Sequence, residues 1–521
     1  MVIFVLCSVG VVNGFAAGPN SGIFYHVTER DGHQEVEVST ALASYIFSED
    51  GGALRSVFLT FAPQGTAKVE LVPGTTTDPD TLARRYKADI LFPFSLQADG
   101  IAGEYTLVGV SKLCPAEIVV EFQGELGDLS IVRRFMIRND PYYTINVELI
   151  INNRATTTAQ LQLTLGNRLL VGDIPSLVYI FDDLPGQARL AVGSYVTFDG
   201  LGLMDEATVF FLQPEEVVHP FEERIAVGED KHFQHFGVVL SAVPGTSSFS
   251  FSLYAGRRRY LLMAHSGLGA LDAPGPLARL IIPLVRLLGW LYSHTGNYGW
   301  AIILFTILTR VLLFPLMRKQ FRSMADMQRL QPKMKQLQQR FKDDRQLLQQ
   351  KSMELYRKEG VNPLSGCLPM VIQMPILILL WRTLLFAAEQ IRLSPGFLWI
   401  PDLSMRDPYF ILVIVTTLIM ILQQRLMPMG AMAGGEGGNK QQMYMAYMMP
   451  LVMAVFMFNL PAGLWLFWLL STVFQAGQQY YVTWEMGKAR RVAVAARVVD
   501  PVDAGEAESE KDDGEADHSG D

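Results

Sequence analysis

Cysteine is nearly absent: Cys7, Cys114 and Cys367 are the only ones in 521 residues, and they stand far apart. Without a CxxC pair or a Cys/His cluster, neither a disulfide framework nor a zinc site is implied. No glycine-rich nucleotide-binding loop occurs, which excludes an ATP- or GTP-driven machine within this sequence. His219, His232 and His235 stand isolated in a stretch without a catalytic motif, and read as surface or satisfied core groups. No catalytic residue, cofactor or metal ligand is assigned, and the chain reads as a non-enzyme. Basic residues are missing before the first apolar run, residues 2–17. That run reads as an N-terminal transmembrane helix, residues 1–17, with its natural start truncated. A signal peptide cut near Phe15-Ala16-Ala17 is the alternative, and it would want the missing basic region.

What is present falls into two zones. Half of the residues are hydrophobic, too many for a simple soluble enzyme, yet 18% are charged, too many for a pure membrane bundle. Residues 18–275 have ordinary soluble composition, and apolar stretches of spanning length crowd the region beyond. The net charge of −8 is equally uneven, because residues 500–521 hold ten acidic side chains against Lys511 alone. Residues 491–521 read as a disordered cytosolic tail, acidic from about 500, with almost nothing to bury.

Within the first zone, Ile131-Val-Arg-Arg-Phe-Met-Ile137 and Thr144-Ile-Asn-Val-Glu-Leu-Ile150 alternate in polarity and are parted by Asn139-Asp140-Pro141. Many such strands with no intervening helical pattern predict a large extracytoplasmic antiparallel β-sandwich over 18–275. From 276 to 294 the period becomes helical. Leu277, Leu280, Ile281, Leu284, Leu287, Leu288 and Leu291 are accompanied by Arg279 and Arg286, with Trp290 and Tyr292 near the end. This suits an amphipathic helix lying in the membrane interface; a further spanning helix is the alternative, opposed by Pro283 and the two arginines.

Spans are then predicted over 299–317, about 368–385, 409–426 and within the apolar block 443–482. That block has to fold as a hairpin, because Asn459-Leu-Pro461-Ala-Gly463 is a turn signal at its middle. The result is an α-helical transmembrane bundle, with a five-helix core over 295–490 and the N-terminal helix as a sixth span. Residues 318–358 carry twelve Lys and Arg, so this loop is assigned to the cytosol, as is the segment with Lys488, Arg490 and Arg491. The β domain then falls outside and the C-terminus inside.

Arg310 lies in the span 299–317, which holds no acidic residue. At about 1.5 Å per residue it is roughly 12 Å from the basic end of the run, too deep for comfortable snorkelling. Two readings account for it: an ion pair with a carboxylate on another helix, or a cation kept in a wet cavity within the membrane. The basic loop itself has helical periodicity. Met324, Met327, Leu330, Met334 and Leu337 recur every three or four residues, and Leu347, Leu348, Met353 and Leu355 follow the N-cap candidates Asp343-Asp344. A cytosolic helical hairpin over 318–360 is expected, with Arg322, Lys333 and Lys335 as docking cations. Methionines gather near the same surface, from Met420 to Met457, and such flexible thioethers suit contact with varied apolar sequences.

An ordered set of motifs runs through this zone. It comprises Asn297-Tyr-Gly299-Trp, Thr309-Arg310-xxxx-Pro315-Leu316, Ser323-Met-Ala-x-Met327, Leu330-Gln-Pro332-Lys333, Asn362-Pro363-Leu-x-Gly366-Cys367-x-Pro369 and Gln373-Met374-Pro375-Ile376. Leu398-Trp399-Ile-x-Asp402-Leu403-Ser, Asp407-Pro408-Tyr409 and Pro461-Ala-Gly463-Leu complete it. The set resembles the YidC/Oxa/Alb family of membrane protein insertases, densely over 276–490. Gly51-Gly52-x-Leu54-x-Ser-Val and Tyr254-x-Gly256 extend the likeness, more weakly, to the Gram-negative type with a large periplasmic domain.

The resemblance implies insertion and folding of newly made inner-membrane proteins through a hydrophilic intramembrane groove, alone or with the Sec translocon. It implies a bacterial inner-membrane location, with nascent membrane proteins, the Sec translocon, the ribosome or signal recognition machinery, and lipids as partners. Arg310 falls on the family's groove arginine, and Thr306 and Gln373 on polar groove positions. Trp468 stands where a groove tyrosine is often found, which keeps stacking and loses the hydroxyl. The end departs too: many relatives close on a basic segment, and here only residues 488–497 are basic. Two rivals remain at this stage. One is a small-molecule transporter using Arg310 as an anion site, which would want internal repeats. The other is a carbohydrate-active β domain on a membrane anchor, which would want paired carboxylates.

Overall fold

A computed structural model describes residues 22–63, 68–72, 92–98, 100–166, 176–181, 184–186, 198–226, 232–272, 274–341, 344–360, 368–426, 448 and 450–499. The N-terminal run, the motif from Asn362 to Cys367, most of the methionine cluster and the acidic tail lie outside these residues. Contacts divide the chain into two units. The first comprises Met1–Ile302, Leu379–Pro408 and Asn459–Leu464; the second comprises Ile303–Ile378, Tyr409–Phe458 and Trp465–Asp521.

In the first unit the expected antiparallel β region is present, as three sheets. A five-stranded sheet runs in chain order through Phe24–Arg30, His33–Ser39, Ser44–Ser48, Ala53–Leu59 and Val69–Val72. A nine-stranded sheet has Thr144–Asn153 near its middle, between Leu129–Arg138 and Gly245–Arg257. A third, five-stranded sheet is centred on Ala159–Gly166. Residues from all three share one core, in which the Phe47 and Phe135 rings lie 4.6 Å apart and Phe94 meets Phe135 edge-on. Alternation works as the sequence predicts: Ile131, Phe135 and Ile137 point inward, and the same period carries Arg133 into the core at 1% exposure.

Helices α1 (Tyr260–His265) and α2 (Pro276–Thr295) follow the last strand, and α3 (Tyr298–Arg340) begins in this unit. The end of α5 (Leu368–Phe386), the short α6 (Ala388–Leu393) and the loop to Pro408 also belong to it. The motif residues act here as joints. Gly299 lies against Phe397, whose ring a Cβ would meet at 2.1 Å, and Asn297 donates its side-chain amide to the Gly396 carbonyl at 2.9 Å. Trp399 donates its indole N–H to Asp407 at 3.1 Å, and Asp402 accepts from the backbone and hydroxyl of Ser404. The Pro461-Ala-Gly463 turn is tied to the same loop, because the amides of Ala462 and Gly463 donate to Met405 and Leu403.

The second unit is helical and inverted in polarity. Along α3, Leu304, Leu308, Val311 and Leu312 are exposed, the last at 74%, while Thr306 and Arg310 are buried. On α7 (Ile411–Leu426), Ile414, Leu418 and Leu422 face out, and Thr416 and Thr417 face in. Helical residues 450–457 expose Val455 and Phe456, the latter at 82%. A surface so apolar over polar interior groups suits helices solvated by lipid.

Among the described residues, only α2 and residues Tyr298–Ser323 of α3 are long and apolar enough to cross a membrane by themselves; Gln373–Phe386 and Ile411–Gln423 are shorter apolar helices. The segment expected to lie in the interface, 276–294, therefore meets the spanning criterion by length and composition. Six full-length spans are not recovered among the described residues.

Two helices run further than the sequence signals suggest. The first predicted span and the first arm of the hairpin form one uninterrupted 43-residue helix, α3, despite Pro315 and Pro332. Helix α8 (Ala462–Val499) continues past 490, so residues 491–499 of the expected disordered tail are helical. The hairpin's second arm is α4 (Arg345–Lys358), capped by the Asp344 carboxylate, which accepts from the Leu347 amide at 2.9 Å. Leu330 and Met334 pack against Tyr356, and Ser352 donates to the Met334 sulfur at 3.4 Å, an antiparallel pairing.

Candidate functional site

The helical period of α3 decides which side chains meet inside the second unit. Thr306 and Arg310 are four residues apart and share one face, with Met317, Gln320 and Phe321 further along it. Arg310 is 4% exposed, and its guanidinium donates to the Gln373 side-chain carbonyl of α5 at 2.7 Å. Among the described residues no carboxylate forms an ion pair with Arg310, so the charge is met by a neutral amide. Thr306 is wholly buried, and its carbonyl accepts from the Thr309 hydroxyl at 2.8 Å.

Other polar atoms of the same unit are buried and have no protein partner among the described residues. They include the Gln373 side-chain nitrogen, both ends of the Gln320 amide, the Ser471 hydroxyl and the Gln478 side-chain oxygen. Each such atom costs about 1–3 kcal/mol unless water or a ligand satisfies it. Of these residues the sequence singles out Arg310, the family resemblance adds Thr306 and Gln373, and neither names Gln320, Ser471 or Gln478. A 3.6-residue count from Thr306 and Arg310 would have pointed to Gln320; the other two sit on α8, where only packing reveals their burial.

Trp468 is positioned by stacking on Trp465, with ring centroids 5.2 Å apart, and its carbonyl accepts from the Thr472 hydroxyl. Neighbouring Phe467 lies against Phe305. Of the hairpin cations, Arg322 pairs with Glu485 at 3.1 Å and Lys333 with Glu359 at 2.5 Å; Lys335 is in α3 and its side chain is outside the described set. Glu485 also accepts from Arg318, and these guanidinium groups hold its carboxyl below the usual range. That clamp, beside a small core of Met317, Phe321 and Val482, fastens the start of the hairpin to α8. Among the described residues no group of three or more His, Cys, Asp or Glu gathers that could hold a metal ion.

Residues 290–489 match the family described as "60Kd inner membrane protein". The membrane protein insertase YidC of Syntrophus aciditrophicus is 29% identical over 501 residues, which cover 90% of this chain and 88% of that protein. The proteins of the same name from Citrifermentans bemidjiense and Thioalkalivibrio sulfidiphilus are 42% and 44% identical over 40% and 41% of this chain. Each of those two alignments spans only 37% of the relative's length. In fold, the chain resembles the crystal structure of an active YidC insertase with its first transmembrane domain resolved. The TM-score is 0.54 at 21% identity, over 92% of this chain and 98% of that one. In sequence and in fold the chain is similar to YidC insertases along nearly its whole length.

Proposed function

We propose that this protein is an insertase of the bacterial inner membrane that receives the hydrophilic segment of an incoming membrane protein at Arg310. One observation carries the reading: a cation buried in an apolar helix is answered by the Gln373 amide and by no carboxylate among the described residues. A charge so placed keeps its attraction for a client carboxylate. The unpartnered atoms of Gln373, Gln320, Ser471 and Gln478 support a hydrated groove around it, since such atoms are stable only when water or a ligand bonds them.

The chain is a five-helix core with an N-terminal helix, the β domain periplasmic and the C-terminus cytosolic. An acidic or polar client segment enters the groove from the cytosol, which shortens its path through hydrocarbon, while the client's apolar helix slides along the exposed leucine and valine faces. Hydrophobic partitioning and the membrane potential drive the step, the latter by about 2.3 kcal/mol per elementary charge per 100 mV. The hairpin 318–360 receives clients or the ribosome and signal recognition machinery, and the Sec translocon hands over longer clients. Trp468 contributes an apolar stacking surface.

Arg310→Lys keeps a point charge and should retain insertion, whereas Arg310→Ala should fail most for clients with acidic translocated segments. The measurement is client-by-client insertion, paired with thermal stability of the purified variants. If Arg310 were half of a buried ion pair, the Ala variant would lose roughly 3–5 kcal/mol and be equally poor with every client. That pattern would sink the groove reading.

A further inference from the structure

A cavity of about 560 Å³ lies within the first unit, between the first sheet and the loop that joins α5 to α7. Its apolar wall includes Phe24, Phe61 and Met405, Thr60 adds a hydroxyl, and Lys68 and Arg392 supply two cations. None of the lining residues is acidic. Arg392 is fixed in position: Asp402, with 2% of its side chain exposed, accepts from it at 3.3 Å, and its guanidinium stands 5.5 Å from the centre of the Phe61 ring. Asp402 offsets one charge. Lys68 is exposed and forms no ion pair among the described residues, so the cavity stays cationic.

The surroundings set this cavity at a membrane boundary. Arg392 and Met405 belong to the loop between the apolar helices α5 and α7, and nearby Trp300 is 55% exposed where it meets Phe397 edge-on. Leu398 is 74% exposed at a left-handed turn with φ of +55°. An exposed tryptophan at the end of a spanning helix marks the level of the lipid headgroups.

We propose that this cavity binds the phosphodiester headgroup of an anionic phospholipid from the outer leaflet. The phosphate sits between Lys68 and Arg392 with Thr60 in reach, and the glycerol end lies along Phe61 and Met405. An inorganic phosphate would satisfy the cations and leave the apolar wall unused, and the volume falls in the roughly 300–1,000 Å³ range of sites for small organic ligands. The proposal rests on the membrane orientation given above, and its test reads lipid binding without reading insertion.

The full chain, purified in mild detergent, is titrated with dioleoylphosphatidylglycerol or dioleoylphosphatidylcholine, and bound lipid is counted by native mass spectrometry. Wild type is expected to retain the anionic lipid more strongly than the zwitterionic one. Lys68→Gln should weaken that retention about fivefold. Ala62→Trp, which fills the cavity and leaves both cations, should abolish it. Retention of phosphatidylglycerol that is unchanged in both variants would overturn the site. Displacement of the lipid by millimolar inorganic phosphate would overturn the headgroup assignment in favour of a small-anion site. A variant that loses lipid and still inserts clients supports the site, and so does one that loses both.

Discussion

Arg133 shows how a residue that looks surface-like in sequence becomes central. Its guanidinium donates to the carbonyls of Gly51, Gly52 and Phe94 at 2.6–2.8 Å and to the Tyr105 hydroxyl at 2.6 Å. Burial pushes its pKa down, and Tyr105 opposes that shift. All three carbonyls come from residues with positive φ, Gly51, Gly52 and Phe94, and a Cβ on Gly52 would meet the Tyr105 ring at 2.8 Å. Gly52→Ala should therefore cost about 2–4 kcal/mol of β-domain stability, adding overpacking to left-handed strain. Gly32→Ala, at φ +82° in open space, should cost only about 1 kcal/mol. Chemical denaturation followed by far-UV circular dichroism compares the two, and equal losses would discount the steric argument.

Glu389 is the other telling residue. It is wholly buried on α6, and its carboxylate pairs with Arg259 at 3.0 Å. Burial raises its pKa, and Arg259 and Arg257 pull the other way without prevailing. A carboxyl whose pKa is raised by folding binds more protons in the native state, so its contribution is full at low pH and declines as pH rises above the unfolded value. Arg259→Ala should then cost roughly 3–5 kcal/mol at pH 8, where an uncompensated charge is left buried, and less at pH 5. Glu389→Gln should cost little at pH 8. Thermal unfolding at the two pH values checks this, and an Arg259→Ala penalty independent of pH would count against it.

At the scale of elements, the hairpin is held by few groups. Asp344 caps α4, and Leu330, Met334 and Tyr356 make a small core. Asp344→Ala should cost about 1 kcal/mol and speed amide exchange across α4, leaving the apolar part of α3 unchanged. Uniform protection after the substitution would mean that packing alone sets the helix start.

The molecule as a whole is built for two solvents. Its first unit buries phenylalanine, valine and isoleucine in the ordinary way, and its second exposes leucine and buries threonine, serine and arginine. The orientation proposed from loop charge can be tested with Cys114, a half-buried cysteine of the β domain. With Cys7 and Cys367 replaced by serine, a membrane-impermeant maleimide should label Cys114 in intact spheroplasts. A cysteine substituted at exposed Gln349 should react only after lysis. Labelling of position 349 from outside would reverse the topology.

Much of this was written in one dimension. Alternation at 131–137 and 144–150, the turn at 459–463, the cap at Asp344, and the cost of an arginine in an apolar run are local signals. Each depends on neighbours within a few residues, so the sequence by itself determined the β region, the helical zone and Arg310 as the residue to watch. The tertiary structure decided who answers each polar group. That Arg310 is met by Gln373, Arg133 by the carbonyls of two glycines and Phe94, and Arg322 by Glu485 depends on segments tens to more than a hundred residues apart. It also decided where helices end, because Pro315 and Pro332 stay inside α3 and α8 runs on to Val499, which no local breaker signal foretold. The physical reason is common to both outcomes. Period and propensity are set by adjacent residues, whereas desolvation and partnership are set by whatever the fold brings near.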